Sequence, residues 1–368
     1  MWPQNIAFSS SIDIFKKNSP LQKLFNKLKE TKLDALLVCN QSNITYLSGF
    51  PSRESWLLLC KDKVGFFITD FRYLEEAKSN LKGFIIKRIN GSVFSLLANL
   101  IKSLKIKRLG FEAKHLSFAE YNKIKEALPL YTDFISTYDI IESLREIKSK
   151  KEIDKIKEAI KITIDAFKYA KCILKEGITE KEIANQLEFF IKQKGCKLAF
   201  EIIVASGPNS SFPHYITSNR KIQKGEPILI DMGIDYQGYK SDLTRVFFLG
   251  KIPSIIRKIY QIVLEAQQLA IKKIKVGLYT DYLDKIARQY INCKGYSEFF
   301  GHSLGHGIGL DVHEGPSISL KHHYKLKEGM VFTVEPAIYL PKRFGIRIED
   351  VVLVKRKGVE VLSEYLYK

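Results

Sequence analysis

The stretch Gly301-His302-Ser303-Leu304-Gly305-His306-Gly307-Ile308-Gly309 decides how the rest of the chain is interpreted. The sequence contains 7 histidines, and three of them, His302, His306 and His313, lie in this stretch or just after it. Glycines surround two of these histidines, so other backbone can approach them closely. Imidazole groups among glycines are typical of a metal site. The stretch therefore predicts that further metal ligands lie elsewhere in the chain.

A first pair of carboxylates comes from residues 228–245. Asp231 lies in an apolar strand, where an isolated charge is costly unless it is paired or bound to a metal. Asp242 follows after a segment that is typical of a turn. A hairpin folded between Tyr236 and Gln237 would place Asp231 directly opposite Asp242, with side chains about 5 Å apart.

A second pair comes from residues 331–349. Glu335 and Glu349 each lie at the end of an apolar strand, on either side of the turn-rich segment 341–345. The midpoint between the two glutamates is Lys342, so a hairpin would bring Glu335 across from Glu349. Two carboxylates that close repel each other unless a positive charge lies between them.

Two such hairpins and one imidazole make a set of five ligands. Four carboxylates carry more negative charge than one divalent ion neutralises, which predicts two ions bridged by carboxylates and a hydroxide. Oxygen-rich ligation with a single histidine favours Mn²⁺, Co²⁺, Fe²⁺ or Zn²⁺. Taken singly, Asp231 could equally be the partner of Arg245, and Asp242 a turn residue. The joint pattern favours the metal site.

The composition restricts the class of protein. With 368 residues and 45% hydrophobic content, the chain is long enough for two domains. Its 5 cysteines are odd in number and scattered, so we expect reduced thiols in the cytoplasm. We expect no signal peptide and no membrane span. The net charge of +19 comes from dispersed lysines rather than a basic tail, so nucleic-acid binding is not expected.

The pattern of elements predicts two domains. An amphipathic helix at 15–31 is followed by alternating strands and helices, which predicts an α/β domain with a mixed sheet over residues 1–142. Residues 143–149 form the predicted linker. Residues 150–368 begin with two helices and continue mainly in strands, which predicts an α+β domain. No internal repeat is apparent in the sequence.

These residues resemble the pita-bread metallopeptidases, in particular their proline-specific branch of Xaa-Pro aminopeptidases and prolidases. The resemblance covers nearly the whole chain. In the second half, its specific motifs are residues 203–209 with Pro213-His214, then 230–233, 241–245, 302–309, 334–336 and 345–350. Residues 43–50 and 69–73 resemble the creatinase-type amino-terminal domain. The resemblance therefore implies such a domain followed by a pita-bread catalytic domain.

The resemblance also implies residue roles. Asp231, Asp242, His306, Glu335 and Glu349 would bind two divalent ions, most often Mn²⁺. Glu335 would also be the general base. His214, His302 and His313 would contact the substrate or transfer protons. Arg347 would pair with a ligand carboxylate, with Tyr339 nearby. Proline-containing peptides would be the substrates and a homodimer the assembly, while His115, His322 and His323 match no motif.

Several functions compete with an Xaa-Pro aminopeptidase. The main alternative is an Xaa-Pro dipeptidase, which must bind the free carboxylate of its substrate; Arg53, Lys342 and Arg343 are candidates for that contact. The amino-terminal domain argues against a methionine aminopeptidase. The complete ligand set argues against a metal-free creatinase-like hydrolase, and also against a non-catalytic binding module on the same fold.

Overall fold

The computed structural model describes residues 19–51 and 53–366, and the chain divides into two compact units between Leu144 and Arg145. The predicted linker, residues 143–149, spans this point. Residues 15–18 of the predicted first helix lie outside the described residues, as does the start of the chain, for which no signal peptide is expected. Among the described residues, no helix is long and apolar enough to cross a membrane.

The amino-terminal unit alternates strands and helices around one sheet. Its strands are β1 (Ala35–Val38), β2 (Trp56–Cys60), β3 (Gly65–Thr69), β4 (Ile85–Arg88), β5 (Arg108–Glu112) and β6 (Asp133–Thr137). Its helices are α1 (Pro20–Glu30), α2 (Gln41–Ser48), α3 (Phe71–Asn80), α4 (Val93–Ser103) and α5 (Phe118–Ala127), with the short α6 (Glu142–Arg145) at the end of the unit. The strand order is β4-β3-β2-β1-β5-β6. β2 is antiparallel to both neighbours and the other pairs are parallel, which confirms the predicted α/β domain with a mixed sheet.

Continuous apolar runs form the centre of this sheet. All four residues of β1 are buried, as expected for a strand in a sheet that is covered on both faces. Leu97 and Ile101 of α4 pack in one cluster with Leu37 and Leu109 of the sheet. β2 and β3 form a hairpin, in which Leu57 pairs with Phe67.

The carboxy-terminal unit contains four longer helices and several small antiparallel sheets. The helices are α7 (Lys150–Ile173), α8 (Glu180–Gln193), α9 (Ser254–Lys273) and α10 (Thr280–Cys293). The first strands are β7 (Lys197–Leu198), β8 (Ile203–Ser206), β9 (Pro227–Met232), β10 (Ile234–Tyr236), β11 (Tyr239–Lys240) and β12 (Leu243–Phe248). The later strands are β13 (Gly305–Gly307), β14 (Glu314–Ile318), β15 (Val331–Val334), β16 (Ala337–Leu340), β17 (Phe344–Arg347), β18 (Asp350–Val354) and β19 (Val359–Val361). This is the predicted α+β arrangement.

The carboxy-terminal unit is built from two similar halves, contrary to the expectation that the chain has no internal repeat. α8 and α10 each have 14 residues and begin at Glu180 and Thr280. Gly177 and Gly277 precede them with the same φ of 85°. Their amides donate to Ile222 and Leu326 of a following segment at 2.9 and 2.8 Å. Few residue identities mark this repeat, because most of what the halves share is backbone geometry.

Candidate active site

The first carboxylate pair lies on the hairpin formed by β9 to β12. The turn residues Gln237 and Gly238 have φ values of 50° and 89°, as a two-residue type I′ turn requires. The register therefore pairs Asp231 with Thr244, and the prediction that Asp231 lies directly opposite Asp242 is wrong by two residues. Because side chains alternate with a period of two, this shift keeps both carboxylates on one face as diagonal neighbours.

The second pair lies on a longer hairpin with one interruption. Val334 pairs with Asp350, and Ala337 pairs with Arg347. This register continues across the gap and sets Glu335 opposite Glu349, as predicted. The ladder breaks there because Pro336 has no amide hydrogen.

A buried amide from α9 satisfies the carbonyl groups that this break leaves free. Gln267 is fully buried and donates through Nε2 to the carbonyl oxygens of Val334 and Ile348, at 2.9 and 3.0 Å. These carbonyls directly precede the two glutamates. Gln267 was not recognised in the sequence, where it resembles any polar residue of an amphipathic helix.

His306 enters the site on the short strand β13. A Cβ at Gly305 would lie 1.9 Å from the carbonyl oxygen of Thr333, and one at Gly307 would lie 2.0 Å from that of Gly315. Only glycine fits on either side of this histidine. Nδ1 of His306 lies 3.1 Å from its neighbour's carbonyl oxygen and donates to it in one tautomer. Nε2 then presents a lone pair to Glu335 and Asp242, at 3.4 and 3.6 Å.

All five predicted ligands converge. Three groups of three residues each have ligand atoms within 4.8 Å of one another: Asp242, His306 and His313; His306, Glu335 and Glu349; Asp231, Asp242 and Glu349. The groups overlap and so form one cluster. His313 joins it although its predicted role was substrate contact.

The cluster has the properties of a cation site. Burial first, and then the neighbouring carboxylates, raise the pKa values of Asp242 and Glu349. Burial also raises the pKa of Glu335 to about 8. Oδ1 of Asp231 is buried and accepts no hydrogen bond. Buried carboxylates that repel each other, with an oxygen atom that accepts no hydrogen bond, fit divalent metal ions.

Arg347 is a buried counter-charge at the edge of this cluster. Its Nη2 pairs with Asp231, its Nε donates to Thr244 at 3.0 Å, and its Nη1 donates to the Tyr339 hydroxyl at 2.6 Å. Asp231 therefore pairs with Arg347 and not with Arg245, whose guanidinium contacts Asp350.

His302 and His313 differ in their surroundings. His302 is partly buried, and its removal from solvent lowers its pKa to about 4 and keeps the ring neutral. Its Nδ1 lies 2.8 Å from the carbonyl oxygen of Ser303, and its Nε2 lies 3.2 Å from the Tyr339 hydroxyl. The exposed His313 meets the ring of His306 edge-on at a centroid distance of 4.2 Å.

The remaining histidines divide between the cleft and the surface. His214 is exposed and lines the cleft described below. His115 belongs to the amino-terminal unit, where its Nε2 lies 2.9 Å from Glu142. The Nδ1 of His323 contacts Asp281 at 2.9 Å, and the carbonyl oxygen of His322 accepts from Thr280 at 2.6 Å. None of His115, His322 and His323 belongs to the carboxylate cluster.

A cleft of about 480 Å³ opens onto Asp231 and Asp242. His214 and His313 line it together with apolar and partly apolar side chains, namely Phe200, Ile202, Ile203, Tyr215, Ile216, Thr217 and Val312. Its remaining charged residue is Glu201. A substrate in this cleft would place its reacting bond against the carboxylate cluster.

A pita-bread domain that presents such a cluster in a cleft defines a metallopeptidase. The chain belongs to metallopeptidase family M24, whose sequence profile matches residues 154–356, and the Creatinase/Prolidase N-terminal domain matches residues 20–147. The family implies divalent metal ions as cofactors and a peptide as substrate.

Several known proteins are similar over nearly their whole length. An Xaa-Pro dipeptidase of Pyrococcus horikoshii is 36% identical, over 94% of this chain and 97% of the relative. The solved structure of an Xaa-Pro dipeptidase from Bacillus anthracis is 39% identical with a TM-score of 0.90, covering 94% of this chain and 97% of the other. That of an X-Pro aminopeptidase from Thermotoga maritima MSB8 is 39% identical with a TM-score of 0.84, covering 92% and 97%.

Proposed function

We propose that this protein is an exopeptidase that hydrolyses X–Pro peptide bonds with two divalent metal ions, Mn²⁺ being the favoured metal. The observation that carries the proposal is the convergence of five ligand-type side chains in one cluster, which the cleft reaches at Asp231 and Asp242: Asp231, Asp242, His306, Glu335 and Glu349. When bound there, the ions would make water nucleophilic near neutral pH and polarise the scissile carbonyl.

Different residues at the cluster and in the cleft would carry out the two proton transfers of the reaction. Glu335 would accept the proton of the attacking water, which is the role that the resemblance to the family implies. The nitrogen of a scissile amide must be protonated as it leaves, and in an X–Pro bond it carries no hydrogen before that step. His214 is exposed to the cleft and can supply that proton. Both ring nitrogens of His302 have protein partners, the Ser303 carbonyl oxygen and the Tyr339 hydroxyl, so His302 is the less favoured proton donor.

The cleft favours an aminopeptidase over a dipeptidase. A dipeptidase must bind the free carboxylate of X–Pro, which calls for a cation near the reacting bond. Among the described residues that line the cleft there is no lysine or arginine, and Lys342 and Arg343 do not line it. Glu201 and the aspartates instead suit a free amino terminus. The dipeptidase is kept as the second candidate because similar relatives carry that name.

Two substrates distinguish the candidates. With Mn²⁺ present, an aminopeptidase cleaves Arg-Pro-Pro and is slow on Leu-Pro, whereas a dipeptidase does the reverse. If neither peptide is hydrolysed, the result contradicts the proposed function. A bound-metal content well below one ion per chain after reconstitution would favour a non-catalytic binding module.

We further propose that the protein acts in the cytoplasm as a homodimer. Five cysteines without a disulfide support a reducing compartment, and the dimer follows from the resemblance alone. Light scattering tests the assembly: a single species of twice the 42.3 kDa chain mass is expected, and a monomer would contradict it.

A further inference from the structure

The segment from Gly307 to Glu314 follows the ligand His306, carries His313 and ends on the buried carboxylate of Glu314. Glu314 directly follows His313 in the chain, but its side chain turns away from the cleft and is only 6% exposed. The cleft residues do not include it. Its burial so close to the site needs a physical explanation, since an isolated buried carboxylate is costly.

Two cations account for the burial. Nζ of Lys148 lies 2.8 Å from Oε1 of Glu314, and Nη2 of Arg145 contacts Oε2. The side chains of Lys148 and Arg145 are 1% and 4% exposed. Burial alone would raise the pKa of Glu314, but these two cations hold that pKa below its usual value. Glu314 is therefore ionised and held from both sides.

The same carboxylate shapes the segment that carries His313. Its Oε2 accepts the backbone N–H of Asp311 at 3.3 Å, and the Asp311 side chain accepts from Arg145 at 2.7 Å. A Cβ at Gly309 would lie 2.5 Å from Oε1, so a side chain at this position would displace the carboxylate. The Glu314 cluster, defined as Arg145, Lys148, Asp311 and Glu314, thus fixes the segment on both sides of His313.

We propose that Glu314 is a positioning residue that acts through His313: its contacts with Arg145 and Lys148 hold the His313 ring against His306 and towards the substrate. The kinetic test rests on the proposed function, and a spectroscopic test does not. Residues 308–313, between β13 and β14, have no regular structure. The Glu314 cluster therefore adds to the rigidity that the pairing of Gly307 with Glu314 gives to the two ends of this loop.

The kinetic test is a double-mutant cycle. Glu314→Gln should lower kcat for Arg-Pro-Pro roughly tenfold, because a small displacement of a group that acts on substrate is costly, with bound metal unchanged. His313→Ala should lower kcat at least as much. If Glu314 acts through His313, the double variant will match His313→Ala alone. Losses that multiply, or no loss in Glu314→Gln, would overturn the proposal.

A matched control variant and a conservative variant show whether a lower kcat comes from a displaced His313 or from a protein that does not fold. Glu360 also lies between two lysines, Lys157 at 2.5 Å and Lys355 at 3.3 Å; Glu360→Gln should leave kcat within about twofold, as is usual for a partly exposed pair. Glu314→Asp keeps the charge and should recover part of the lost kcat. If Glu314→Gln does not fold, Lys148→Met takes its place in the same cycle, with the same non-additivity expected.

Imidazole NMR tests the proposal independently of the reaction. The chain has 7 histidines, few enough to resolve and assign. In Glu314→Gln, the His313 resonance should shift and broaden more than that of His302, while Glu360→Gln leaves both unchanged. An unchanged His313 resonance would overturn the positioning role, whether or not X–Pro peptides are substrates.

Discussion

At the scale of single residues, the site contains more buried negative charge than the positively charged side chains around it can neutralise. Arg347 is the cation that lies among the carboxylates, and it is fully engaged by Asp231, Thr244 and Tyr339. Thr244 in turn donates to Glu349 at 2.8 Å. One guanidinium cannot neutralise four carboxylates, so the remaining charge defines what the site can bind.

Asp242 provides the sharpest test of the ligand assignment. Asp242→Asn keeps the size of the side chain but removes its charge, so we expect it to lose bound metal and to lower kcat by roughly a thousandfold or more. Metal analysis and the Arg-Pro-Pro assay measure the two effects. Asp235→Asn is the matched control on the same hairpin, because Asp235 pairs with Lys240 at 2.9 Å, away from the cluster. Near wild-type turnover in Asp242→Asn would refute the assignment.

At the scale of elements, the two hairpins show what sequence spacing can and cannot predict. Placing the turn midway between the two carboxylates predicted the correct register for Glu335 and Glu349, because that hairpin is symmetric about Lys342. It failed by two residues for Asp231, because the tight turn is centred between Gln237 and Gly238. A register error of two residues leaves each side chain on the predicted face of the sheet. Asp231 and Asp242 are therefore still neighbours on one face.

Residues that support the site were not predictable in the same way. Gln267 and Glu314 contact residues that are distant in sequence. The contacts of Glu314 also depend on the conformation of the loop that precedes it. Glu180 is similar: it is fully buried and accepts hydrogen bonds from Ser206, Asn209 and Ser218, around the loop that carries His214. Each resembles an ordinary polar residue until the tertiary fold supplies its partners.

Two substitutions in the turn of the first hairpin should change the stability of the protein in different directions. Gly238 has a φ of 89°, so Gly238→Ala should destabilise the protein by about 1–2 kcal/mol through backbone strain. Gln237 has a φ of 50° without being glycine, so Gln237→Gly should be neutral or stabilise the protein by up to about 1 kcal/mol. Urea denaturation of the metal-free protein measures both. Equal losses in the two variants would contradict the assigned turn.

At the scale of the whole molecule, the carboxy-terminal unit repeats one arrangement of helices and strands, and each half contributes one carboxylate hairpin. The active site therefore belongs to neither half alone, and its repulsion bears on the stability of the entire unit. The net charge of +19 is carried by lysines dispersed along the chain and does not offset the local negative charge of the cluster.

This repulsion predicts an unusual pH dependence for the metal-free protein. Asp242, Glu335 and Glu349 have folded-state pKa values above their unfolded values, so the folded state binds more protons than the unfolded state. Their contribution to stability is fully present below the unfolded pKa, which is 4.5 for Glu335, and is lost as pH rises to about 8. Burial lowers the pKa values of His302, His306 and His313, so these histidines act in the opposite sense below about pH 6.5. Urea denaturation in a chelator should therefore give a free energy of unfolding that falls from pH 7 to pH 8.

Metal should reverse that trend, because ions bind the ionised carboxylates and release their protons. With saturating Mn²⁺, the free energy of unfolding should stay level or rise over the same interval. The metal-free Glu335→Gln variant isolates one carboxylate and should show a shallower fall than the wild type, since one titrating group is gone. A metal-free protein whose stability rises from pH 7 to pH 8 would show that these carboxylates do not repel one another in the fold. The charge argument for a metal site would then fail with it.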